Sequence, residues 1–161
     1  MTPPLLRMKP LPHTHSCFVC GESNPFGLQL RFETDGRIVQ TRFVPRAEHI
    51  GFKGVVHGGI MATVLDEIMV WACAVPTRKF AYCAALTVRY LQPVVPGEAI
   101  VVTGELVANR KDRLYEAKAA VSNAANVTLT EATGKYLPVP SAMASAMARD
   151  FVGDPDWLRG G

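Results

Sequence analysis

Between Val55 and Pro76 the chain reads VVHGGIMATVLDEIMVWACAVP, an almost wholly apolar run that holds His57-Gly58-Gly59 and, nine residues after the histidine, Asp66 followed by Glu67. A carboxylate kept from bulk water can serve as a base or a nucleophile at a carbonyl group. The first N–H groups of a helix lack internal partners and carry partial positive charge, so they can receive an oxygen as it becomes an anion. Gly58 and Gly59 stand where a helix should begin, and glycine lets a bound molecule approach the backbone closely.

Asp66 and Glu67 point about 100° apart on a helix and cannot share a role. The Asp66 face carries Gly59, Ala62, Thr63, Met69, Val70 and Cys73, mostly small, which leaves room for a substrate beside the carboxylate. Glu67 lies among Ile60, Val64 and Trp71, where a long side chain reaches outward to a basic partner. Asp66 is therefore assigned the chemistry and Glu67 a structural ion pair. At about 1.5 Å per residue the helix start lies roughly 13 Å from Asp66, too far for one subunit to present both groups to one carbonyl. Two antiparallel helices meeting across a two-fold axis can do so.

The positioning elements follow from periodicity and turn residues. Residues 1–16 include Pro3, Pro4, Pro10 and Pro12 and read as an extended arm without regular structure. From Leu28, LQLRFETDGRIVQTRFVP alternates around Asp35-Gly36 and predicts a hairpin. The apolar helix follows, ended by Pro76. The stretches starting at Phe80, Ala99, Leu114 and Val127 predict four more strands, and residues 140–161 a tail that can form a surface helix and then frays. The expected class is α+β: one long central helix packed on a curved antiparallel sheet of about five to six strands, occupying residues 17–139. A sheet covers one side of such a helix, and the apolar side chains left over, Trp71 and Met69 among them, call for a second copy, hence a homodimer or a dimer of dimers.

The bulk properties exclude other classes. The net charge of +3, without a long basic run, gives no support to a nucleic-acid partner. Asp66 and Glu67 interrupt the longest apolar run, so no membrane span is expected, and the proline-rich N-terminus does not read as a signal peptide. Four cysteines, unevenly spread, read as reduced thiols in a cytoplasmic protein.

HGGIMATVLDE, the preceding EHIGFKGVV, the following ALTVRYLQPVVPGE and the leading CFVCGESNPFGLQLRF together resemble the hotdog-fold acyl-CoA thioesterases of the phenylacetate-pathway type, over roughly Cys17 to Val139. The resemblance implies hydrolysis of an acyl-CoA without a cofactor. Asp66 would be base or nucleophile, and the Gly58 amide, aided by His57 and flanked by Gly59, would polarise the carbonyl at a site shared between subunits. It also implies a small hydroxyl ten residues before Pro93, where this sequence has Cys83; two-residue alternation then offers Thr87 on the same face. Some relatives place Asn or Gln six residues before the motif histidine; here that residue is Gly51, with His49 close by as a substitute. Lys53, Arg89 and the Arg110–Arg113 turn are candidates for the phosphates of coenzyme A. His13, His15, Cys17 and Cys20 have ligand types suited to zinc, but within the resemblance the cysteines read as packing residues, so no metal is expected. A hotdog hydratase or dehydratase using His57 or His49 with Asp66, and a non-catalytic acyl-CoA binding protein, are the alternatives.

Overall fold

A computed structural model describes residues 7–153. The apolar run forms one helix, α1 (Gly58–Thr77), capped at its start by the His57 side chain and closed at its end by Arg78, whose left-handed backbone turns its N–H back to the Ala74 carbonyl. Pro76 lies inside the last turn instead of ending the helix. By length and composition α1 would suffice to cross a membrane, its two carboxylates notwithstanding, so those residues do not carry the exclusion expected of them. Here it is the core helix, with Val64, Leu65, Ile68 and Met69 fully buried.

The other elements are β1 (Lys9–Pro10), β2 (Glu33–Thr34), β3 (Ile38–Phe43), a 3-10 turn at Ala47–His49, β4 (Ala81–Tyr90), β5 (Ile100–Arg110), β6 (Leu114–Asn123), β7 (Thr128–Pro138) and a surface helix, α2 (Ser141–Ala148). They build one antiparallel sheet in the order β1-β2-β3-β5-β6-β7-β4. The hairpin turns at Asp35-Gly36, where Asp35 Oδ1 accepts the amides of Arg37 and Ile38 and Gly36 takes a positive φ. Two of the seven strands have only two residues. One of them, β1, lies in the proline-rich arm, because the chain there meets the end of β2. The strand expected from Leu28 is cut down to β2, since Leu28 and Leu30 donate to the carbonyls of Phe18 and Val19 instead of to a strand partner.

That exchange covers the helix from its second side. Val19, Cys20, Leu28 and Leu30 join the core from the N-terminal segment, and Trp71 packs edge-on against Phe80 and Phe151. Trp71 and Met69 are thus buried within one chain and give no reason for a second copy. β4 is one edge of the sheet, and Tyr82, Tyr90 and the following Leu91 are exposed there. The predicted fraying at the C-terminus lies outside the described residues.

Candidate active site

The start of α1 is assembled around two glycines. His57 Nδ1 accepts the Gly59 N–H at 2.8 Å, and a Cβ on Gly59 would fall 3.0 Å from that nitrogen. Tyr90, from the end of β4, donates its hydroxyl to the Gly58 carbonyl at 2.7 Å, with its ring carbon Cζ 3.1 Å from where a Gly58 Cβ would stand. With the Gly59 amide taken by His57 and those of Ile60 and Met61 by the His57 carbonyl, the Gly58 N–H is the first-turn amide with no acceptor among the described residues. It opens on a cleft of about 570 Å³ whose lining includes Gly51, Phe52, His57, Gly58, Met61 and Tyr90.

Asp66 lies two turns along the helix and faces the other end of β4. Tyr136, fully buried on β7, donates its hydroxyl to Asp66 Oδ1 at 3.0 Å. Burial and the Asp66 charge push the Tyr136 hydroxyl well above the ordinary tyrosine range, so it stays a donor. Cys83 pairs directly with Tyr136 across β4 and β7; burial first and the Asp66 carboxylate second raise its thiol's pKa. The ring of Tyr136 lies against Gly134, where a Cβ would be 2.6 Å from Tyr136 Cε2. Tyr136 escaped the sequence reading because it is 70 residues from Asp66; the one local signal was the Gly134–Tyr136 pair, a glycine two residues before an aromatic.

Thr87 does not share the face of Cys83. A register shift between Cys83 and Ala85 inserts one residue into β4, reversing the alternation beyond it. Thr87 therefore lies with Arg89 and Glu131 on the opposite face of the sheet. His49 is buried, with its ring 5.7 Å from that of Phe43, Nδ1 accepting the Arg46 amide and Nε2 without a partner. Burial and the neighbouring Arg46 lower its pKa, so it is a neutral packing residue, and Gly51 lines the cleft in its place. Among the candidate phosphate ligands, Arg89 is held by Glu131 at 2.8 Å and Arg110 by Glu116 at 3.2 Å, while Lys53 stands exposed beside the cleft.

Glu67 does not make the expected ion pair: no described Lys or Arg lies in range, and it faces Cys17, 3.8 Å from its Sγ. Burial drives its pKa up to about 8, with the charges of Cys17 and Asp66 adding to the effect. His13 and His15 turn away from the cysteines to Glu22, at 2.9 and 3.4 Å. The four-residue zinc set is not assembled.

Residues 53–115 match the family model of the thioesterase superfamily, the stretch holding the His-Gly-Gly turn, Asp66 and β4. A crystal structure described as a thioesterase superfamily protein superposes with a TM-score of 0.71 at 25% identity, over 76% of this chain and 63% of that one. The chain has the hotdog fold seen in thioesterase superfamily structures. Two further structures share the hotdog fold. The E. coli PaaI protein from the phenylacetic acid degradation operon has a TM-score of 0.64 at 18% identity, covering 70% of this chain and 81% of that one. A Streptococcus mutans protein bound to acetyl CoA has a TM-score of 0.59 at 19% identity, covering 63% and 81%. This hotdog chain spans less than two thirds of the length of the first of these proteins. No curated protein matches its sequence.

Proposed function

We propose that this hotdog protein is an acyl-CoA thioesterase of the PaaI-like type, acting as a homodimer in the cytoplasm. The observation that carries the reading is the position of the two reactive groups at opposite ends of one exposed edge strand: Asp66 beside Cys83, and Gly58 beside Tyr90. If two β4 edges pair antiparallel about a two-fold axis, the Cys83 end of one strand lies beside the Tyr90 end of the other. The Asp66 carboxylate of one subunit then approaches the Gly58 amide of its partner. The open, partly apolar edge at Tyr82 and Tyr90 supports that pairing.

In the mechanism, the thioester carbonyl oxygen points at the Gly58 N–H, with His57 Nε2 as a second donor, because Nδ1 already serves as helix cap. Tyr136 holds Asp66 Oδ1 and leaves Oδ2 to attack the carbonyl carbon or to take a proton from the water that does. The C–S bond breaks as the tetrahedral intermediate collapses and coenzyme A leaves as thiolate. Water attack gives the free acid directly; after Asp66 attack, a water cleaves the acyl–Asp66 anhydride to free acid and restores the carboxylate. The PaaI likeness favours an aromatic or medium-chain acyl group in the apolar cleft, with Lys53 near the phosphates. The hydratase alternative has less support, since His57 Nδ1 is occupied and His49 is buried away from the cleft.

The test is complementation. Asp66→Asn and Gly58→Val chains, each expected to be inactive alone, should recover up to half of one site pair's activity in purified mixed dimers assayed by release of free thiol from acyl-CoAs. Verified mixed dimers without recovery, or parent-level hydrolysis by Asp66→Asn alone, would contradict the mechanism.

A further inference from the structure

The cysteines of the N-terminal segment approach α1 on the side away from Asp66. There the Sγ atoms of Cys17 and Cys20 and a carboxylate oxygen of Glu67 all lie within 4.8 Å of one another. We infer that Cys17, Cys20 and Glu67 bind a zinc ion, two thiolates and a carboxylate filling three tetrahedral positions and water the fourth.

Distance, turn geometry and charge each point the same way. Donors sharing a tetrahedral zinc, at about 2.3 Å for sulfur and about 2.1 Å for oxygen, stand roughly 3.6–3.8 Å apart. Cys17 Sγ and Glu67 Oε1 are already 3.8 Å apart. The Cys-Phe-Val-Cys-Gly loop turns both sulfurs toward one point: Val19 donates its N–H to Cys17 Sγ at 3.3 Å, and Gly21 donates to the Cys17 carbonyl at 2.8 Å. Gly21 closes that turn where a Cβ would be 2.3 Å from the Cys17 oxygen. An N–H aimed at sulfur favours the thiolate over the thiol, which is the form a metal needs.

Glu67 supplies the remaining argument. It is mostly buried and has no described basic partner, an arrangement that is costly for a carboxylate unless something positive meets it. A dication among the three groups reduces the charge of two thiolates and one carboxylate to about −1 and removes that penalty. Two sulfur ligands favour zinc over the harder magnesium or calcium. The ion would fasten the segment that carries Val19, Cys20, Leu28 and Leu30 onto the helix, one residue from Asp66 and outside the thioester cleft. It stands independently of the proposed hydrolysis.

The full chain, purified with reduced thiols, is titrated with Co2+ and then Zn2+, and bound metal is counted after dialysis. The expected result is one ion per chain, with thiolate-to-cobalt charge-transfer absorption that Zn2+ abolishes. Zn2+ should also protect Cys17 and Cys20, and not Cys83, from alkylation mapped by mass spectrometry, a readout that needs no variant. Cys17→Ser or Cys20→Ser should abolish stoichiometric binding. Glu67→Gln, checked for folding by circular dichroism, should weaken it by at least the roughly 10- to 100-fold that loss of a ligand's supporting contact costs elsewhere. His13→Ala and His15→Ala should leave it unchanged. A folded, reduced parent protein that takes up no stoichiometric metal would overturn the site, and so would affinity unaltered in Glu67→Gln or lost in the histidine variants.

Discussion

Asp66 and Glu67 are consecutive residues on one helix with opposite surroundings. Asp66 reaches toward an open sheet edge, held by a tyrosine hydroxyl near the Cys83 thiol, and Glu67 reaches into a closed corner formed by two cysteines. The 100° between them decides which carboxylate can meet a substrate. Asp66 has a donor fixing one oxygen and lies at the exposed β4 edge, an arrangement suited to the proposed attack. Glu67 has no described cationic neighbour and no cleft, an arrangement in which charge is either neutralised by a proton or met by a cation. Residue type and helix position alone would rank the two alike; it is the identity of the neighbours that separates the carboxylate proposed to react from the one enclosed by thiols.

The largest expected effect tests that contrast directly. Asp66→Asn should lower thiol release from acyl-CoAs by roughly 10²-fold or more while the melting temperature holds or rises slightly. Glu67→Gln should keep most of the activity. Equal losses in the two variants would erase the distinction between the carboxylates.

Next in size is the removal of the hydroxyl that fixes Asp66. A hydrogen bond to a charged group contributes about 1.5–3 kcal/mol, so Tyr136→Phe should reduce kcat by roughly 10- to 100-fold with KM little changed. Gly134→Ala should act in the same direction, because its methyl group would occupy the place of the Tyr136 ring 2.6 Å away. Unaltered steady-state kinetics in both variants would leave Asp66 without a positioning partner.

The smallest effect is a change in pH dependence on the Glu67 side, measured on metal-free protein. The native pKa of Glu67, about 8, lies above its ordinary 4.5, so between those values the folded chain holds a proton that the unfolded chain has lost, and stability falls as pH rises. Cys17 has the opposite sign. Its pKa is lowered from 9.0 to about 6, first by the Cys20 thiol, so from about pH 6 upward it offsets the Glu67 trend. Because Cys17 is common to both proteins, chemical denaturation should show the parent losing stability relative to Glu67→Gln between about pH 4.5 and 8. A parent-minus-variant difference that is flat across that interval would show that Glu67 is ionised in the folded metal-free protein.

Elements that rest on local pattern were legible in the residues alone. These are the apolar helix, the Asp35-Gly36 hairpin, the antiparallel strands after Pro76 and the divergence of Asp66 from Glu67, because helical period and turn residues act over a few positions. Tertiary structure decided what depends on distant chain segments. The bulge after Cys83 reversed the face of Thr87, a single-residue insertion that no alternating pattern announces. Phe151 and the N-terminal segment covered Trp71, so the helix is buried and β4 is left as an exposed sheet edge. Tyr136 met Asp66 across 70 residues, and Cys17 met Glu67 across 50. Such meetings are set by how the sheet curves around the helix and which loop closes over it, since packing selects among many chain paths that are locally equivalent.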